Sequence, residues 1–414
     1  MRRVLVVGVA ISVLAGCGVA PRMGAAGDLA LGARALGKAW TYAALSASDN
    51  DLSDDAEVIE DAALRQAGLP HLAPVVFSDR NKADDSIRIY PGANGAVKEK
   101  IAELDSESPA AMRELLKFAA RTAPAQRRLL VLADHGGGII RGINSDDHRP
   151  ANARSYEVGD FGRVLRQDPV DILYFDACFM QMAEVSYELA GAAEIVLASE
   201  SETTSGSAPH ADFMRVLDEG HRAGTETAAR RLVEAGTKMA REDATLSAVR
   251  VAAVQDLVAP LSELSADMLA AMKADPQLKG RLIAAIGDAQ AYVKETDPHY
   301  RLYNHYRDMA DTMDHIAGVV EPALARKAKT IARMVREDVV IAHAEARKFG
   351  DSSGLVLYAP AGDKVDESYV KSNFARKTRW ADFLVALNSG GKWGNPIQRD
   401  PYPDAFRRPR RPGF

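Results

Sequence analysis

The chain is poor in cysteine: its 414 residues carry two, Cys17 and Cys178. That excludes a disulfide framework, which needs several paired thiols. Basic charge is not in excess either. Lys and Arg number 52 against 57 Asp and Glu, a net charge of −5, which argues against a dedicated nucleic-acid binder. Past the N-terminus no stretch approaches the ~20 apolar residues that a membrane-spanning helix needs. Zinc-type spacing is missing too, since His299, His305 and His315 do not fit a metal-binding helix such as H-E-x-x-H. What is present is 47% apolar and 26% charged residues, the balance of a soluble globular protein of one large or two ordinary domains.

Residues 1–16 have the layout of a secretory signal: Arg2 and Arg3, then a short apolar run from Val4 to Ala15. The run ends in Leu14-Ala15-Gly16-Cys17, which resembles the lipobox of bacterial lipoproteins. An ordinary signal peptide with an incidental cysteine is the other reading. Under the lipobox reading Cys17 is acylated and tethers an exported protein to the cell envelope through residues 17–37. Gly18 lacks the Asp associated with inner-membrane retention, so the outer membrane is preferred. Cys178 is then the one thiol of the mature chain, in a compartment that oxidises free thiols. It is either buried and inert or kept for its reactivity.

Residues 38–220 read as an α/β domain. Trp40 to Leu45, Leu72 to Phe77, Arg128 to Ala133, Val170 to Phe175 and Glu194 to Ala198 are apolar runs of strand length. Helical patterns at 53–66, 108–123 and 179–190 alternate with them. Strands apolar on both faces and separated by helices predict a three-layer sandwich around a mostly parallel sheet. Residues 221–395 read as a mainly helical portion packed on that domain, with helices at 224–245, 256–275, 277–296 and 320–348. Strand-like segments at 246–254 and 354–358 interrupt it, and a helix near 380–388 closes it. Residues 396–414 are a basic, Pro-rich tail.

Two strands end in chemically loaded turns: Asp134-His135-Gly136-Gly137-Gly138 and Asp176-Ala177-Cys178. In open parallel sheets functional groups collect beyond the carboxyl ends of the strands. If these strands are neighbours, imidazole and thiol emerge together. His135 can then take the thiol proton of Cys178 and return it to a leaving amine. The N–H groups of Gly136 and Cys178 are placed to stabilise an oxyanion. A helix starting at Cys178 is expected to favour thiolate through its dipole.

These two motifs resemble the catalytic motifs of the clostripain-like cysteine peptidases, in the caspase-like clan with legumains and gingipains. Trp40-Thr41-Tyr42, Asp49-Asn50-Asp51-Leu52, Ala198-Ser199-Glu200, Ser353-Gly354-Leu355 and Tyr358-Ala359-Pro360 agree, so the resemblance spans most of the mature chain. It implies a thioester-forming endopeptidase with Cys178 as nucleophile, His135 as base and Asp176 as the substrate-binding acid for Arg or Lys. It also implies possible self-cleavage between the two motifs, for which Arg154-Ser155 is the preferred bond. No cofactor is required by the residues; calcium is implied for some relatives, with Asp49, Asp51, Asp54 and Asp55 as candidate oxygen ligands. The chain departs from the family in having Ile139 and Ile140 after the glycines, and no aromatic residue in the 201–207 loop.

Plainer readings stand beside these. Cys178 can be a structural thiol, Asp176 a cap for the next helix, the acidic stretch a solvated helix start, and His148 and His210 surface residues. The rival from another class is a catalytically silent lipoprotein of the same fold that binds peptides or scaffolds an envelope complex.

Overall fold

The computed structural model describes residues 37–388 except 83, 144, 149–155 and 294–301. Its strands in chain order are β1 (Lys38–Ser48), β2 (Leu72–Arg80), β3 (Ile87–Gly92), β4 (Gly95–Lys100), β5 (Ala125–Ala133), β6 (Val170–Asp176), β7 (Ala193–Ala198), β8 (Thr245–Arg250), β9 (Tyr306–Asp308), β10 (Val340–Glu345) and β11 (Val356–Tyr358). Nine of them form one sheet in the order β10-β8-β7-β6-β5-β1-β2-β3-β4, while β9 and β11 pair separately. The centre, β2-β1-β5-β6-β7, is parallel. On one side β3 and β4, on the other β8 and β10, are added by antiparallel pairing.

The apolar strands are buried on both faces because successive side chains point to opposite sides of the sheet. Leu129 and Val131 of β5 enter one core, beneath helices Ala56–Gln66, His210–Glu219 and Thr225–Asp243. Leu130 and Leu132 enter the other, beneath helices Pro109–Thr122, Val158–Leu165, Ala183–Glu188 and Val258–Ala274. Each fully buried Leu, Val or Phe contributes about 1.5–3 kcal/mol, so both layers hold the sheet. The result is the expected α/β sandwich.

The later part of the chain does more than pack on that sandwich. It supplies β8 and β10 to the large sheet, and its buried side chains are continuous with one of the two cores. The helix expected over 320–348 is Pro322–Met334, followed by a π turn at Val335–Val339 and then β10. Val339, Val340 and Ile341 suit either periodicity, and pairing with β8 decides for strand. The strand expected over 246–254 ends at Arg250, and helix Val251–Asp256 follows. The β3–β4 hairpin was not foreseen. Its two-residue loop is Ala93-Asn94, closed by the Gly92–Gly95 pair, with Gly95 at φ +118°, a conformation that favours glycine.

Candidate active site

Strands β5 and β6 are neighbours, with Ala133 paired to Asp176. Their carboxyl ends are therefore level, and His135 and Cys178 each follow two residues later. Both line one cavity of about 220 Å³ with Gly136, Asp176, Phe179, Thr203, His210 and Tyr303. The sequence-predicted residues His135, Gly136, Asp176 and Cys178 are thus brought together. Cys17 and Arg154 lie outside the described residues.

His135 is oriented from β1. Its Nε2 lies 2.7 Å from Oδ1 of Asp51, in the turn that follows that strand. Burial works against the imidazolium, but hydrogen bonding to Asp51 and the charges of Asp134, Asp51 and Asp55 outweigh it, and the pKa of His135 is raised. Asp134 next door is held by Asn50 Nδ2, which donates to Oδ1 at 2.8 Å, and by the Ser145 N–H. Burial pushes Asp134 up to about 7. The β1 turn therefore fixes the His135 segment at two points.

Cys178 does not begin a helix. The next helix is Ala183–Glu188, and Cys178 sits in a turn whose following residue, Phe179, has φ +59°. A non-glycine residue in the left-handed region costs on the order of 1–3 kcal/mol and persists where packing over-determines it. Here the Phe179 ring stacks on Tyr303, with centroids 4.4 Å apart and 11° between planes. No helix dipole stabilises the thiolate. Instead the Thr203 N–H donates to Sγ at 3.3 Å, with Thr203 Oγ1 at 3.6 Å. Burial raises the Cys178 pKa, the Thr203 contacts oppose it, and Glu202 and Asp176 add to the rise. The thiolate is thereby disfavoured, and a base that takes the thiol proton assists its attack.

Gly136 passes directly over the Cys178 peptide. A Cβ at Gly136 would lie 2.3 Å from the Cys178 carbonyl oxygen and 3.0 Å from its nitrogen. The antiparallel bridge between Gly136 and Ile143 uses the Gly137 N–H, which donates to Gly142 O. The N–H groups of Gly136 and Cys178 make no hydrogen bond among the described residues. Two adjacent donors are thus available beside the thiol.

Asp176 does not cap a helix. Its carboxylate lies on the cavity wall, where Tyr174 OH donates to Oδ1 at 3.3 Å and His210 Nε2 approaches Oδ2 at 3.0 Å. His210 is not a surface residue: it is 2% exposed, and its Nδ1 bonds Tyr42 OH at 2.8 Å. Asp55, Asp134, Asp176 and Glu202 line the cavity, and no Lys or Arg does so among the described residues.

Glu200, fully buried, accepts from Tyr292 OH at 2.6 Å, Ser352 Oγ at 2.9 Å and the Gly354 N–H at 3.1 Å, and meets His343 Nε2 at 3.0 Å. This network ties the loop carrying Thr203 to the later part of the chain. The motifs Ala198-Ser199-Glu200 and Ser353-Gly354-Leu355 therefore meet in space.

The acidic stretch does not act together as a set of cation ligands. Asp51 serves His135, and Asp55 accepts from Ser205 Oγ. Asp49 instead meets Asp79 and Asp146, with one oxygen of each within 4.8 Å of the others. All three are buried, burial pushes Asp49 up to about 6 and Asp79 to about 7, and Asp79 Oδ2 has no hydrogen-bond partner. Three such carboxylates suit a hard, oxygen-preferring cation. His148, half-exposed, bonds Asp49 through Nδ1 at 2.6 Å.

A mostly parallel sheet whose adjacent strand ends present a His-Gly turn and a cysteine turn to one acidic cavity defines a caspase-like cysteine peptidase. The sequence profile of the clostripain family matches residues 44–393, and the chain belongs to that family. Among solved structures, an inactive zymogen C11 protease from Parabacteroides distasonis is 20% identical at a TM-score of 0.60, over 84% of this chain and 98% of that one. A secreted C11 cysteine protease from Bacteroides thetaiotaomicron, in complex with an irreversible peptide inhibitor, is 17% identical at 0.60, over 83% and 99%. A search of curated proteins found no match.

Proposed function

We propose that this cysteine peptidase cuts peptide bonds after Arg or Lys through a Cys178–His135 pair. The observation that carries the reading is the shared cavity, in which thiol, imidazole, two available N–H donors and the Asp176 carboxylate line the same space. With the Nε2–H of His135 donated to Asp51, Nδ1 is the nitrogen that takes the thiol proton. The Cys178 sulfur adds to the scissile carbonyl, and the Gly136 and Cys178 N–H groups receive the developing oxyanion. Protonated His135 then gives its proton to the leaving amine, and water hydrolyses the thioester. Asp176, oriented by His210 and Tyr174, pairs with the basic side chain of the substrate, and a planar guanidinium fits a carboxylate best.

Calcium, where used, would be held by the oxygens of Asp49, Asp79 and Asp146, joining the ends of β1 and β2 to the loop after β5. We also propose that lipid on Cys17 anchors the exported protein at the cell envelope, and that self-cleavage, if used for maturation, falls after Arg154.

The test is hydrolysis of reporter peptides ending in Arg, Lys or a neutral residue by the wild-type protein, Cys178→Ala, His135→Ala and Asp176→Asn. Cleavage of the basic reporters is expected for wild type, none for the first two variants, and loss of the basic preference for the third. An unreactive wild-type thiol with no hydrolysis of any reporter would favour the silent peptide-binding module.

A further inference from the structure

The glycine strip beside Cys178 is faced by a phenol that the two catalytic motifs do not contain. Tyr303 opens the short helical turn Tyr303–His305 that leads into β9, far along the chain from both motifs. It lines the same cavity as His135, Gly136 and Cys178.

Three contacts fix where its hydroxyl lies. The ring stacks on Phe179, the residue after Cys178. It meets Tyr306 edge-on, with centroids 5.6 Å apart, and Tyr306 OH donates to the Gly137 carbonyl at 2.6 Å. The Tyr303 oxygen in turn reaches Gly137 so closely that a Cβ there would lie 3.2 Å from it. One residue earlier, a Cβ on Gly136 would lie 3.0 Å from the Cys178 nitrogen. The phenol oxygen therefore lies against Gly137, one residue along the chain from the Gly136 N–H, in the cavity that it shares with Cys178.

From this placement we infer that Tyr303 is a further catalytic residue, donating its hydroxyl hydrogen to the oxyanion formed when the Cys178 sulfur adds to the scissile carbonyl. In that step the S–C bond forms, the carbonyl π pair moves onto oxygen, and the thiol proton goes to His135. When the intermediate collapses, that pair returns to carbon and the C–N bond breaks as His135 protonates the amine. Tyr303 keeps its own proton throughout. Burial supports this role by pushing its pKa up to about 12, against the pull of Arg141 and with the charges of Cys178 and Glu202. A phenol so placed is a donor across the working pH range and not a competing base. The inference rests on the Cys178–His135 reading above.

Tyr303→Phe removes one oxygen and keeps the ring that stacks on Phe179. Three quantities are compared in the full chain. The kcat on an Arg reporter amide is expected to fall roughly 10–1,000-fold, with KM changed less than about twofold. Affinity for an arginyl aldehyde, which forms an oxyanion-bearing hemithioacetal, is expected to fall in parallel. The rate of Cys178 alkylation by iodoacetamide, which forms no oxyanion, is expected to stay unchanged. Wild-type kcat and aldehyde affinity in Tyr303→Phe would overturn the donor role while leaving the peptidase reading intact. An equal loss of iodoacetamide reactivity would overturn it in favour of a residue that merely positions the thiol. A wild-type protein that neither hydrolyses nor alkylates would overturn both readings together.

Discussion

The carboxylate of Asp51 lies 2.7 Å from the imidazole Nε2 of His135, joining the turn after β1 to the turn after β5. This contact selects the tautomer and adds to the charges that lift the His135 pKa above the ordinary histidine range. A base works only when neutral, so activity should climb as pH rises through that raised pKa. Asp51→Asn is expected to lower kcat/KM by roughly ten- to a hundred-fold. It should also move the acid limb of the pH–kcat/KM profile to lower pH. An unmoved limb contradicts the assigned role.

Gly136 has no room for a side chain, because the Cys178 carbonyl oxygen occupies the space of its Cβ. Gly136→Ala must displace one backbone from the other, and both N–H donors move with them. We expect kcat to drop at least about a hundred-fold while circular dichroism shows the sheet intact. Near-normal kcat contradicts the oxyanion assignment.

The Glu200–His343 pair makes stability depend on pH from both sides. Although burial opposes it, hydrogen bonding and charge from His343 lower the Glu200 pKa, so its stabilising contribution holds above the unfolded value and is lost as pH falls through the folded one. His343 is raised by the Glu200 bond and charge against its own burial, so its contribution holds at lower pH and is lost as pH rises through the folded value. Thermal melting of the wild type should therefore peak between those limits. Glu200→Gln removes the buried partner of His343 and leaves it Glu345, 3.3 Å from Nδ1; the change should cost on the order of 3 kcal/mol and flatten the profile, and an unchanged melting curve contradicts the clamp.

Much of this was legible in the sequence because strand-length apolar runs and the turns that end them are local signals. Arg128–Ala133 and Val170–Phe175 announced β5 and β6, and the residues after them are the ones that reach the cavity. What was not legible depends on contacts across the chain. Nothing in the spacing tells that Asp51 serves His135, that His210 is buried on Asp176, or that Tyr303 lines the cavity and stacks on Phe179. The helix expected at Phe179 failed because the Tyr303 stack and the tight passage of Gly136 hold Phe179 in a left-handed conformation. β10 falls within the helix expected over 320–348 because its partner, β8, lies about ninety residues earlier in the chain, beyond the reach of a local pattern.

The most direct measurement is mass-spectrometric mapping of the protein after brief exposure to an arginyl chloromethyl ketone. One label per chain, carried by Cys178 and absent from His135→Ala, is the predicted result. Labelling that ignores the arginyl group, or that persists at full rate without His135, contradicts the account.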